Sequence, residues 1–300
     1  MIVNKQAVYT GHQGSIYTLE KNIDEQNFFS GGSDGVLSKW SMNNGQQPEA
    51  LGKMNSPIYA LKLIREKSIL LAGTGSGEFY AIDLLTKSLI ASIQFHVQGI
   101  FDLQCSLSYQ KIYSCSAVGE IGIWDLNDFT LYKKEQICAG KVRALCVSND
   151  QTELAIACGD GSIRIWDTLL MKEKFRFEAH LNSANCLAYH PSLPLLLSGG
   201  RDAHLRIWKC ADYSLEKEIP AHNYALYSIA FSPDNKYVAT ASRDKTAKLW
   251  DANNFDFLNR IDRENSDAHS HSVNKVLWLS NGQLLTAGDD RKIVRFEIGE

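Results

Sequence analysis

The sequence predicts an all-β chain made of seven successive repeats, each of four short antiparallel strands. Three observations carry this expectation. Trp40, Trp124, Trp166, Trp208 and Trp250 each close a short alternating run (GVLSKW, EIGIW, GSIRIW, AHLRIW, TAKLW), and the last four step by 42 residues. The 84-residue gap between Trp40 and Trp124 is two such steps, and its midpoint is Ile82 in the similar run EFYAID. Period-two alternation bounded by Gly, Pro, Asn and Asp fills the intervals, and no window has the 3.6-residue spacing of a long helix.

The elements follow in order within each repeat. A first alternating run begins about 24 residues before the Trp mark, as in Leu226–Phe231 (LYSIAF). The turn Ser-Pro-Asp-Asn at 232–235 leads to a second run, Tyr237–Ser242, and a tight turn carrying Asp or Gly leads to the third, which ends at Trp. A more polar fourth run, such as 174–178, closes the repeat. The seventh mark is Phe296, 46 residues after Trp250, and the four extra residues fall in the polar stretch 262–272, which reads as a loop. Four strands per 42 residues, repeated radially, is the arrangement of a β-propeller, here of seven blades in one domain spanning residues 1–300. Glu300 follows Phe296 too closely for a fourth strand in the last blade, so residues 5–10 are expected to supply it and remove an exposed edge.

Composition limits the function classes. At 44 % hydrophobic and 22 % charged residues, the 300-residue chain has an ordinary globular balance and needs no disulfide or metal to hold a core. Its 31 basic and 34 acidic residues give a net charge of −3, which argues against a nucleic-acid or anionic-membrane partner. No apolar run reaches the length of a membrane-spanning helix, and residues 1–10 show no signal-peptide pattern. The seven cysteines are odd in number and lack C-x-x-C spacing, so they read as buried thiols in a reducing cytoplasm.

Further marks recur in register with Trp. Gly11-His12, Ala179-His180 and Ala221-His222 are each followed 28 residues after the His by Trp, and Trp-Asp stands at 124–125, 166–167 and 250–251. On these residues the chain resembles the WD-repeat β-propeller family over essentially its whole length. The resemblance implies a seven-bladed ring with a central channel that serves as a platform for other proteins.

Four repeats also hold a set that mimics a hydrolase. His12, Ser30, Asp34 and Trp40 recur as His180, Ser198, Asp202 and Trp208, and again as His222, Thr240, Asp244 and Trp250. His269, Thr286 and Asp290 repeat it with Phe296 for Trp. A hydroxyl, an imidazole and a carboxylate are the members of a nucleophilic triad. A triad occurs once per active site, however, whereas this set occurs in four repeats. A chain of bonds from indole to hydroxyl, hydroxyl to imidazole and imidazole to carboxylate satisfies every buried polar group. The resemblance likewise implies that such a set fastens a blade. Repeat two has Met54, Ala72, Ser76 and Ile82 in these places; repeat three keeps His96, Ser114 and Trp124 but has Val118 for Asp; repeat four keeps Asp160 and Trp166 but has Cys138 and Ile156. These three are expected to rely on apolar packing. No catalytic, cofactor or metal site is expected: the histidines of the 267–271 run (DAHSH) read as solvated or structural, and no phosphate-binding Gly loop is visible.

Function is then sought where repeats differ at fixed offsets. The position 23 before the mark reads Tyr17, Tyr59, Phe101, Arg143, Asn185 and Tyr227, with Asn274 equivalent in the seventh repeat. The position before the turn Asp, or its equivalent, reads Ser33, Gly75, Ala117, Gly159, Arg201, Arg243 and Asp289. Aromatic and Arg side chains around one rim are the types enriched at binding hot spots. The expected partner-binding residues are therefore Tyr17, Tyr59, Phe101, Arg143, Asn185, Tyr227, Asn274, Arg201 and Arg243, on the face that bears the His loops. The reading is a non-enzymatic scaffold for a peptide or protein loop, acidic or phosphorylated, with the chain a monomeric propeller inside a larger complex. The alternative is a small-ligand sensor or enzyme that uses the central channel.

Overall fold

The computed structural model describes residues 1–42 and 47–299; Glu300, invoked for closure of the last blade, lies outside the described residues. Seven four-stranded antiparallel sheets are present. In the third, Ile100–Ser106, Lys111–Ser116, Glu120–Asp125 and Leu131–Gln136 pair in chain order. Leu226–Phe231 and Tyr237–Ser242 have the bounds read from the sequence. The fourth strand of the fourth sheet starts at Lys172, two residues earlier than expected. Alternation alone does not mark the start of an exposed strand.

The seventh sheet is completed from the other end of the chain. Ile2–Thr10 pairs antiparallel with Lys292–Gly299, from Ile2 opposite Gly299 to Thr10 opposite Lys292. The closing strand is thus longer than the 5–10 segment expected. Another correction concerns 262–272. Residues Arg263–Ser266 form one turn of α-helix, with the Asp262 side chain accepting the Asn265 amide as N-cap. Four residues are too few to display a helical period in the sequence.

By internal contacts the chain divides into two compact units. One comprises residues 1–58 and 222–300, with the sixth, seventh and first sheets; the other comprises 59–221, with the second to fifth. Within each, the core lies between consecutive sheets. Tyr113, Cys115 and Ile121 of the third sheet pack with Val142, Leu145 and Trp166 of the fourth. Ala239 and Leu249 of the sixth likewise pack with Val276, Leu284 and Phe296 of the seventh. This placement explains the alternation: each sheet buries both faces, and its middle strands carry the apolar load.

The turn between second and third strands is the same in all seven sheets. An amide donates back three residues at Gly35, Gly77, Gly119, Gly161, Ala203, Lys245 and Arg291. Each of these residues has positive φ, between 65° and 95°. Glycine occupies four of the seven because L side chains resist this region. At Gly161 a Cβ would meet the His180 carbonyl oxygen at 2.1 Å, so that turn tolerates nothing larger.

Candidate interaction face

The repeated polar set ties the His loops to the turns and second strands. His12 Nδ1 donates to Asp34 at 2.9 Å, Ser30 Oγ donates to His12 Nε2 at 2.7 Å, and Trp40 Nε1 donates to the same Oγ at 2.7 Å. His180 makes the corresponding contacts with Asp202 (2.9 Å) and Ser198 (2.8 Å), and Trp208 reaches Ser198 at 2.8 Å. In the sixth repeat His222 meets Asp244 at 2.9 Å and Thr240 at 2.8 Å, with Trp250 on Thr240 at 2.9 Å. His269 meets Asp290 and Thr286 at 2.8 Å each, without an indole. The hydroxyls of Ser30, Ser198, Thr240 and Thr286 belong to residues with no exposed surface, so none can meet a substrate.

Electrostatics follow from this burial. Burial opposes ionisation of Asp202, but hydrogen bonds from His180 and Arg206 outweigh it and hold the carboxyl well below its usual range. Asp244 is held down likewise, against its burial, by His222 and Thr246. Burial lowers the His180 and His222 imidazoles, so both are neutral partners of anionic carboxylates. Arg206, which sequence reasoning passed over, donates to Asp202 at 2.7 Å and also pairs with Glu218.

The third repeat corrects the expectation of purely apolar packing. Ser114 Oγ lies 2.9 Å from His96 Nε2 and receives Trp124 Nε1 at 3.0 Å. With Val118 in the Asp position, Glu120 approaches His96 Nδ1 at 3.5 Å from two residues further on. In the fourth repeat no such chain forms: Cys138 donates its thiol to the Lys141 carbonyl at 3.6 Å, and the Trp166 indole N–H has no acceptor among the described residues.

The variable positions occupy a distinct backbone feature. Tyr17, Phe101, Arg143, Asn185, Tyr227 and Asn274 are each skipped by the pairing register of the first two strands. Each is the extra residue of a β-bulge, which leaves the ladder and re-aims the side chain. The second variable set is tied to the first in every one of these repeats. The amides of Ser33, Ala117, Gly159, Arg201, Arg243 and Asp289 donate to the carbonyls of Ser15, Gly99, Lys141, Ser183, Ala225 and Ser272, each two residues before the bulge. Both sets therefore border the same loop.

Within residues 59–221 three of these side chains meet. The Tyr59 and Phe101 rings lie 5.6 Å apart at 53°. The Arg143 guanidinium sits 5.0 Å above the Phe101 ring, and the Lys141 ammonium lies 6.0 Å from it. Gly99 lies against Tyr59, where a Cβ would come within 3.2 Å of the ring. Asp102, beside Phe101, accepts the Leu145 amide at 2.9 Å and so fixes the third sheet against the fourth. Arg201 is exposed, and Asn185 accepts the Ser183 hydroxyl at 2.9 Å.

The other unit uses the same positions differently. Tyr227 and Arg243 are exposed, and Tyr17 is half-buried. Asn274 spends its amide nitrogen internally, on Asp289 at 2.8 Å and on the Ile16 carbonyl at 2.9 Å. Lys141 and Glu120 were missed because each lies two residues from the position at which the repeat pattern places its mark.

The WD domain, G-beta repeat family matches residues 4–41, 133–167, 171–209, 213–251 and 264–296, more than half of the chain. The chain belongs to the WD-repeat family. The stretch without a match, residues 42–132, holds the repeats that lack the turn Asp at Ser76 and Val118. Among solved structures, the crystal structure of the WD40 beta propeller domain of Doa1 superposes with a TM-score of 0.87, covering 99 % of this chain and 97 % of that one at 17 % identity. That likeness shows the fold, a seven-bladed β-propeller with four antiparallel strands per blade.

Relatives of this WD-repeat chain include Telomerase protein component 1 of Mus musculus, 27 % identical over 54 % of this chain and 6 % of that protein. The Striatin homolog of Dictyostelium discoideum is 24 % identical over 64 % of this chain and 26 % of its own length. WD repeat-containing protein 91 of Gallus gallus is 28 % identical over 67 % and 25 %. The WD-repeat chain thus spans at most about a quarter of the length of these relatives.

Proposed function

We propose that this WD-repeat chain is a non-enzymatic interaction module that holds a peptide or protein loop against the face bearing its His loops. The observation that carries the reading is the cluster of Tyr59, Phe101 and Arg143, with Phe101 and Arg143 turned out of the ladder by bulges. Two rings in contact offer a large apolar surface at low entropic cost, and a guanidinium beside them pairs with planar anions. The fitting ligand has a hydrophobic anchor next to an acidic or phosphorylated residue. The non-enzymatic reading is supported by the polar sets, whose hydroxyls are buried and bonded to the histidines of their own sets. Free thiols at all seven cysteines suit a reducing compartment.

The test is selection of peptides from a display library against the folded chain, followed by affinity measurement with Tyr59→Ala and Arg143→Ala. Each substitution should cost 2 kcal/mol or more on the ~kcal/mol scale of hot spots, about thirty-fold in Kd, with the melting curve unchanged. Unaltered binding by both folded variants rejects this site.

A further inference from the structure

The fourth repeat has Cys138 at the His position and Ile156 at the hydroxyl position. A second cysteine, Cys158, ends the strand Glu153–Cys158, eight residues before Trp166. In the fifth and seventh repeats the equivalent residues are Gly200 and Gly288, eight before Trp208 and Phe296. A Cβ on Gly200 would run into His180 Nδ1 at 2.2 Å, and one on Gly288 would come within 3.1 Å of His269 Nδ1. A side chain at this position is therefore aimed at the side chain in the His position. In the fourth repeat that sets one thiol against another, and the Cys158 thiol is hydrogen-bonded to the Cys138 sulfur. Both lie in the core between the third and fourth sheets, within the unit of residues 59–221.

The two sulfurs are unlike. Cys158 has no exposed surface, whereas Cys138 keeps 5 % and is followed by the exposed residues Ala139 and Gly140. Beside Gly140 there is open space where a Cβ would stand. The bond from Cys158 pulls the Cys138 thiol down from its ordinary range, against its burial, with help from the Gly140 amide and the Arg164 charge. The same bond, together with burial, pushes Cys158 up. Arg164 bonds Glu173 through Nη1 at 3.1 Å, but its buried Nε has no partner among the described residues. Arg206, at the equivalent position of the fifth repeat, reaches His180 Nδ1 at 2.7 Å. The fourth repeat thus keeps a cation where the fifth turns one toward the His position.

We propose that Cys138 and Cys158 form a reversible disulfide in response to hydrogen peroxide. The Cys138 thiolate attacks one peroxide oxygen; the O–O bond breaks, hydroxide leaves to become water, and Cys138 carries a sulfenic acid. The Cys158 sulfur then attacks the Cys138 sulfur. The S–S bond forms, the S–O bond breaks, and the hydroxide leaves with the Cys158 proton as a second water. Two electrons pass from the sulfurs to the peroxide. The closed bond ties residues 137–141, which join Leu131–Gln136 to Val142–Val147, to the end of Glu153–Cys158. It does in the fourth repeat what the His chain does in the first, fifth, sixth and seventh. The tied loop carries Lys141 and leads into Arg143, both over the Phe101 ring. Its bearing on binding rests on the docking reading above; the disulfide itself does not.

The experiment treats the reduced full chain with hydrogen peroxide, blocks remaining thiols with N-ethylmaleimide, and sequences tryptic peptides by mass spectrometry. Peptide 135–141 should appear joined to peptide 144–164, with fragments placing the bond on Cys158 rather than on Cys146 of the same peptide. Dithiothreitol should release it. The linked chain should melt about 5 °C above the reduced one. Cys138→Ala should abolish the link, and Arg164→Gln should slow its formation about tenfold. Absence of a link, a bond through Cys146 or Cys115, or oxidation that stops on Cys138 with Cys158 still reduced would overturn the proposal. These outcomes are read on the unaltered chain, so they hold even where a variant fails to fold. A link that forms while the Tyr59 and Arg143 test fails would leave the disulfide standing and remove its tie to binding.

Discussion

His96 Nδ1 and Glu120 Oε2 lie 3.5 Å apart in a buried site, and neither atom has a hydrogen-bond partner among the described residues. Burial, against the pull of Glu120, pushes His96 down to about 4 from its ordinary 6.5. The native state then binds fewer protons than the unfolded chain between those values. Stability present above pH 6.5 is lost as the pH falls toward 4, by about 3 kcal/mol for this group. The lowered His180 and His222 add in the same direction. Urea unfolding at pH 7.5 and pH 5 should show the loss, and His96→Gln should flatten it; an unchanged slope in that variant would assign the effect elsewhere.

Asp202→Ala strips His180 of its acceptor and leaves Arg206 facing an apolar methyl. The expected destabilisation is about 1–3 kcal/mol, the usual cost of an unsatisfied buried group. Asp160→Ala, in the repeat with Cys138 for His, should cost clearly less. Paired urea midpoints decide it, and equal losses would deny the network its role.

The shared turn makes opposite predictions at equivalent positions. Gly161→Ala drives a methyl into the His180 carbonyl and should cost more than about 1 kcal/mol. Ala203→Gly relieves an alanine at φ 68°, worth about 1–2 kcal/mol, against a smaller rise in unfolded-state entropy. A modest gain in melting temperature is expected, and a loss would show that Ala203 is held there by its neighbours.

Removing residues 1–10 deletes the partner of Lys292–Gly299 and exposes that strand as an edge. The melting temperature should fall sharply, and the variant should associate with itself at micromolar concentration in sedimentation runs. A parent-like melting curve would mean that the pairing contributes little.

Much of this was legible because the repeat is its own control. Trp40 to Trp250 set the register, and departures such as Ala72 and Val118 stood out against it. What escaped was whatever broke the register by one or two residues. The bulges at Phe101 and Arg143 change side-chain direction without changing residue type, so the sequence names the positions and not their geometry. Glu120 replaces Val118 across two residues of chain, a substitution visible only in space. The turn Arg263–Ser266 is shorter than any period that would announce it.

The pairing of Ile2 with Gly299 also dictates an order of events. Joining strands so distant along the chain costs about 3 kcal/mol more in closure entropy than joining a ten-residue hairpin. During synthesis the first strand must wait, unpaired, until Lys292–Gly299 has been made. The first strand of the ring is therefore among the last to reach its place, and the interval before its partner emerges is when the nascent chain most needs protection from its neighbours.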